Sequence, residues 1–177
     1  MFKLQPTHLQ NDWVILKPLE TKDFETLYVV ASDPLIWEQH PSKTRYQREV
    51  FQVFFEGAIA SGGAFMMLDA KNNEPIGSSR FYTYNEAESS LEIGYTFYAR
   101  RCWGLPYNRS AKQLMIDHAF QFVDHIIFNI GANNIRSQKA IEKIGAVKTG
   151  EKAIAYYGEV DNLNFIYTIN KNNWKGL

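Results

Sequence analysis

Cysteine occurs once in the 177 residues, at Cys102, and no Cys/His cluster accompanies it. An internal disulfide is therefore excluded, a structural or catalytic metal is not expected, and a reducing, cytoplasmic setting fits best. Long apolar runs are also missing. Met1 to Pro6 carries one charge, and Trp13 to Leu16 is too short for a leader or a bilayer span, so no membrane partner is expected. Charge of one sign is not in excess, since 19 Lys/Arg balance 19 Asp/Glu. With no Lys/Arg run interleaved with aromatics, nucleic acid is not an expected partner either. Low-complexity tracts, internal repeats and Pro/Gly/Ser linkers are absent, and residues 1–177 read as a single domain.

What is present suits a folded core: 45% of residues are hydrophobic and 15% aromatic. A chain of this length buries on the order of 70% of its unfolded surface without staples. Charge is uneven between the halves. Residues 1–88 hold 8 Lys/Arg and 12 Asp/Glu, and residues 89–177 hold 11 and 7, a balance of −4 against +4. The second half is thereby suited to an anionic ligand and the first, weakly, to a cationic amine, although scattered surface charge gives the same count.

Hydrophobic period places the elements. Trp13 to Leu16 is a short strand, and Thr21 caps a helix running toward Ala31. A second helix spans about Arg45 to Ala60, with Phe51, Phe54 and Phe55 on its core face, until Gly62-Gly63 stops it. Phe65 to Leu68, Ile76 to Tyr84 and Leu91 to Tyr98 then form an antiparallel meander. After the loop Arg100 to Pro106, an amphipathic helix carries Ala111, Leu114, Met115, His118, Ala119, Phe122 and Val123 along one face. His125 to Ile130 is a buried strand, and Asn134 to Ile144 is a helix closed by Gly145. Val147 to Tyr157 and Leu163 to Ile169 make a closing hairpin, whose exposed strands could join two copies as a homodimer.

Chemistry gathers in the unit from Leu91 to Val123. A loop with Arg100, Arg101 and Gly104 between a strand and a helix start offers free amides and the positive end of a helix dipole, an arrangement that binds phosphate. A basic surface turn would carry the same residues. His118 and His125 follow Asp117 and Asp124 at a spacing of seven, but one lies on an apolar helix face and the other opens a strand, which fits packing better than ligation.

The run Leu91-Glu92-Ile93-Gly94-Tyr95-Thr96-Phe97-Tyr98-Ala99-Arg100-Arg101-Cys102-Trp103-Gly104-Leu105-Pro106-Tyr107-Asn108 resembles the coenzyme-A-binding core of the GNAT acetyltransferases. The segment Asn134-Ile135-Arg136-Ser137-Gln138-Lys139-Ala140-Ile141-Glu142-Lys143-Ile144-Gly145-Ala146 is similar to a second signature, Asn-x-x-Ser-x-x-x-x-Glu-Lys-x-Gly, of the branch containing the ribosomal-protein N-terminal acetyltransferases of RimJ/RimL type. With the matching element order, the resemblance covers roughly residues 11–170.

The resemblance implies an α/β (α+β) fold: a mixed, mostly antiparallel sheet of about seven strands, splayed in the middle and flanked by about four helices. It implies an acyltransferase that moves an acetyl group from acetyl-CoA, without a metal, to a primary amine on a protein N-terminus or a small molecule. Arg101, Cys102, Trp103, Gly104, Leu105, Pro106, Tyr107 and Asn108 would hold the pyrophosphate, and Tyr95, Thr96 and Phe97 would pair with the pantetheine arm as if it were an added strand. Pro106 departs from the family pattern, because proline offers no N–H. Glu92 would be the general base, with a strut to Arg80 as its structural alternative. The tyrosine acid of many members is replaced by Ile141, so Ser137 would take the place near the sulfur, with Asn134 contacting pantetheine or simply capping its helix. Trp37, Glu38, His40 and Tyr82 are candidates for the acceptor pocket. A non-catalytic coenzyme-A-binding or protein-interaction module on the same scaffold is the alternative.

Overall fold

In the computed structural model, which describes residues 4–155 and 160–177, the apolar run at Ala64–Asp69 explains the layering. Successive side chains of a strand face opposite ways, so Phe65 and Met67 enter one core and Ala64 and Met66 another. The chain runs β1 (Leu9–Gln10), β2 (Val14–Pro18), α1 (Phe24–Ala31), α2 (Arg48–Ala60), β3 (Ala64–Asp69), β4 (Pro75–Asn85) and β5 (Ser90–Tyr98), then α3 (Tyr107–Ala119), β6 (His125–Gly131), α4 (Ile135–Glu142), β7 (Val147–Ala155) and β8 (Asp161–Asn170). Among the described residues one sheet of order β1-β2-β3-β4-β5-β6-β8-β7 holds the strands, and only β5 and β6 are parallel neighbours. A parallel pair needs a crossover, and α3 supplies it. α1 and α2 cover one face around Phe51, Phe54 and Phe55, while α3 covers the other with Ala111, Met115, Ile116 and Ala119.

Two features of the sheet position the site. Among the described residues β5 pairs with β6 at Ser90, Glu92 and the residue between them, so the β5–β6 ladder ends at Glu92. On the other side of β5 the ladder with β4 slips: Ser78 faces Phe97 and Arg80 faces Gly94, leaving Ser79 opposite both Tyr95 and Thr96, with Tyr95 at φ +52. This is a β-bulge, which bends the strand and leaves backbone groups out of the ladder.

The structure adjusts several boundaries. An eighth strand, β1, is two residues long and carries no periodic signal. Glu20, not Thr21, caps the first helical turn, because the chain leaving β2 is still extended there, and Glu20 N donates to Asp23 at 3.0 Å. α2 starts at Arg48, since Gln47 is extended. α3 stops at Ala119, so Phe122 is exposed, and its buried stripe contains Lys112 and Ile116. α4 ends at Glu142. Tyr157, the expected end of the first hairpin strand, lies outside the described residues.

Candidate active site

The splay between β5 and β6 opens a cavity of about 250 Å³. Side chains from the 34–45 segment, β4, β5, the 99–106 loop, α3, β6 and α4 line it. Of the residues singled out from the sequence it gathers Trp37, His40, Tyr82, Tyr95, Thr96, Phe97, Cys102, Trp103, Gly104, Leu105, Asn108, Asn134 and Ser137. Glu38 is exposed and does not line it, and Glu92, Arg101, Pro106 and Tyr107 stand behind or beside the wall.

The loop after β5 is a 3-10 turn at Arg100–Cys102 followed by Gly104 at φ +75. That left-handed backbone favours glycine, and the space over its Cβ position is open for 4 Å. The amides of Cys102, Trp103 and Leu105 already donate within the loop, at 2.9, 3.0 and 3.3 Å. Gly104 and the first turn of α3 are left to supply amides toward the opening. Pro106 sits at the N-cap with φ −66, and its carbonyl accepts from Ser110 N at 2.9 Å, so its missing N–H falls at the helix boundary. Arg101 pairs with Glu74 at 2.9 Å on the surface, and Tyr107 donates to Asp69 at 2.6 Å, fixing the start of α3 to β3. Cys102 is 4% exposed and burial pushes its thiol up, a packing residue rather than an activated one.

Glu92 occupies the last rung of the β5–β6 ladder. Asn129 Nδ2 on β6 donates to its Oε2 at 2.5 Å, and Tyr82 across the β4–β5 pair also bonds it. Burial pushes the Glu92 carboxyl above the usual range, while the bonds from Tyr82 and Asn129 pull the other way. The strut to Arg80 is not made. Arg80, 3% exposed, lies 3.7 Å over the Tyr95 ring and 5.1 Å over Phe54, and donates to the Phe54 carbonyl at 3.4 Å. Burial brings its pKa down to about 10.

At α4, the Asn134 side chain accepts from Ser137 N at 3.2 Å, a cap that uses the serine amide and not its hydroxyl, and Ser137 and Ile141 both line the cavity. Arg136 ties α4 to the opposite lip: it donates to the Ile36 carbonyl at 2.8 Å and stacks 4.0 Å over Trp103. At the acceptor end Trp37 is anchored through Nε1 to the Ala31 carbonyl at 2.7 Å and meets His40 edge-on. His40 takes a hydrogen bond from Ser42 N at 2.9 Å, and burial, then the Arg45 charge, holds its pKa well below the usual value, so it is neutral. Arg45, 1% exposed, lies under Trp37 and Phe54.

Asn129, Arg45, Arg136 and Lys112 are site residues the sequence reading did not pick out. Lys112 had a signal, as a lysine inside an apolar helical stripe. Arg136 stands inside the second signature, between Asn134 and Ser137, whereas Arg45 and Asn129 join the site from outside either signature. The acidic lean of the first half is not gathered here, as no carboxylate of the described residues lines the cavity.

An unladdered strand edge, the Gly104 amide beside open space and a helix N-terminus together fit a ligand with a diphosphate and an extended arm. Comparison with known proteins agrees. A family model described as acetyltransferase (GNAT) domain matches residues 14–147. Among solved structures, an acetyltransferase (GNAT family) from Bacillus anthracis is 21% identical, with a TM-score of 0.74 over 93% of this chain and 99% of that one. RimJ of Mycobacterium smegmatis, in complex with CoA-disulfide, is 17% identical with a TM-score of 0.70 over 92% and 84%. Spermidine N-acetyltransferase of Vibrio cholerae, in complex with CoA and spermine, is 17% identical with a TM-score of 0.68 over 92% and 98%. No curated protein matches the sequence at a significant level. The chain belongs to the GNAT acetyltransferase family and is an acetyl-CoA-dependent N-acetyltransferase.

Proposed function

We propose that the acceptor is a primary amine, on a protein N-terminus or a small molecule, and that it enters past Trp37, His40 and Tyr82 to reach the end of the β5–β6 ladder. Acetyl-CoA, when bound, supplies an acyl carbon open to attack and a thiolate leaving group. Gly104, Asn108 and the first turn of α3 hold its diphosphate, with the rest of the Arg101–Asn108 loop shaping the seat, and β5 past the end of its ladder with β6, at Tyr95, Thr96 and Phe97, aligns its arm. Asn134 supports the arm from α4.

An amine is mostly protonated at neutral pH, with model values near ~8 for an α-amine and ~10.4 for lysine, so a base assists either acceptor. Glu92 takes the amine proton, directly or through a water. The observation that carries this role is its position: a half-buried carboxylate held by Asn129 and Tyr82 at the rung where the strands part. Its raised pKa makes it a better base than an ordinary surface carboxylate. Ser137 donates a hydrogen from Oγ toward the departing sulfur. The fold is shared with a RimJ structure and with a spermidine acetyltransferase, which supports both acceptor types. Lone, buried Cys102 supports a cytoplasmic location.

The test is thiol release from acetyl-CoA with a panel of peptides bearing free N-termini, polyamines and aminoglycosides, beside a thermal-shift titration with CoA. Transfer to one amine class is expected. A thermal shift without transfer to any amine would move the protein to the non-catalytic module, and no shift with CoA would overturn the cofactor site.

A further inference from the structure

Lys112 stands in the buried stripe of α3 and is 2% exposed. Its Nζ donates to Ser79 Oγ on β4 at 3.0 Å and to Thr96 Oγ1 on β5 at 2.7 Å, and these hydroxyls lie 2.8 Å from each other. The three groups meet where the ladder slips, Ser79 facing both Tyr95 and Thr96. No carboxylate among the described residues compensates the ammonium. Burial alone lowers its pKa, to about 7, with no contribution from Arg80, Glu92 or any other charged group of α3, β4 or β5. An ammonium has three donors and no acceptor. Two are used. The third meets no acceptor among the described residues, and Lys112 lines the cavity next to Thr96. A buried donor without an acceptor carries a desolvation penalty, and leucine or methionine would fill the same position without one. The bonds to Ser79 and Thr96 occupy two N–H groups, and the third N–H of the charged form, beside the cavity, is left for a ligand.

We propose that Lys112 is a cofactor-binding residue, donating its remaining N–H to a carbonyl oxygen of the acyl-CoA arm that lies along β5. The inference rests on the cofactor reading above. A carbonyl oxygen only accepts, so it favours the charged lysine; by reciprocity, the ligand raises the proton affinity of Lys112 and is held more tightly when that proton is present. The carbonyl belongs either to an amide of the arm or to the thioester, and CoA, which lacks the acyl group, separates the two.

The experiment is calorimetric titration of the intact wild type and of Lys112→Met with acetyl-CoA and with CoA at pH 6.5. It is paired with an NMR pH titration of the Lys112 Nζ in the wild type, free and bound. The variant is expected to bind acetyl-CoA about tenfold more weakly. An equal loss for CoA assigns the arm amide, and a loss confined to acetyl-CoA assigns the thioester. In the wild type, CoA or acetyl-CoA should move the Nζ titration upward, whereas adenosine 3′,5′-bisphosphate, which carries phosphates without the arm, should leave it in place. Unchanged affinity in the variant, an Nζ titration unmoved by ligand, or an equal shift with the bisphosphate would each overturn the proposal while the cofactor site stands. A wild type that binds neither thioester nor CoA removes the site itself. The NMR arm needs no substitution, so the outcome does not depend on how the variant folds.

Discussion

Replacing Lys112 by methionine should stabilise the protein near neutral pH and flatten its pH dependence, even as it weakens the cofactor site. The folded-state pKa of Lys112 is lowered from 10.5 to about 7. Between those values the unfolded chain holds more protons than the folded one, so this lysine makes stability rise with pH through that window. From the two pKa values, the penalty is about 4 kcal/mol at pH 7 and about 2 kcal/mol at pH 9. Methionine has no such penalty and is close to lysine in length and volume. It forfeits the bonds to Ser79 and Thr96, about 1 kcal/mol each, although those hydroxyls keep each other. The variant should therefore be about 2 kcal/mol more stable at pH 7 and nearly equal to wild type at pH 9. Urea unfolding of both proteins at the two pH values reads this directly, and other titrating groups cancel in the comparison. Parallel pH dependence in wild type and variant would mean that Lys112 carries no shifted proton, contrary to its burial.

Glu92→Gln should lower kcat by about 10²- to 10⁴-fold with little change in acetyl-CoA affinity, and should remove a rising limb of the pH–rate profile that sits above the ordinary carboxylate range; equal losses in rate and cofactor affinity would take the base role from Glu92. Ser137→Ala should slow transfer about tenfold to a hundredfold while α4 stays capped, because the cap uses the serine amide and not its hydroxyl; an unaltered rate leaves Ser137 as a helix-end residue only. Gly104→Glu should abolish the thermal shift with CoA and cost the free protein on the order of 1 kcal/mol, from the left-handed backbone at φ +75; retained CoA binding would displace the diphosphate seat from this loop.

Much of the site was legible from local pattern. Period-2 and period-3.6 runs fix a helix or strand through nearest-neighbour sterics and burial, so β3, β4, β5, α3 and the loop at Gly104 could be read from residues close together in the chain. Two short signatures, around Glu92 to Asn108 and Asn134 to Gly145, carried the family. Helix ends were less legible, because the extended residues Glu20 and Gln47 set the starts of their helical segments through backbone angles that many residue types adopt.

Spacing along single segments was enough to order the main elements and to show the residue types of a phosphate-holding loop, though not the two-residue β1. Folding settled what those residues face. It brought Asn129, 37 positions away, onto Glu92, stacked Arg80 on Tyr95 instead of pairing it with a carboxylate, and turned Lys112 inward to the bulge between β4 and β5. Contacts of that kind depend on strand register and on the angle at which a helix crosses the sheet. Those are set by the packing of the whole domain: spacing within α3 marks Lys112 as a lysine in an apolar stripe, but not the hydroxyls it meets.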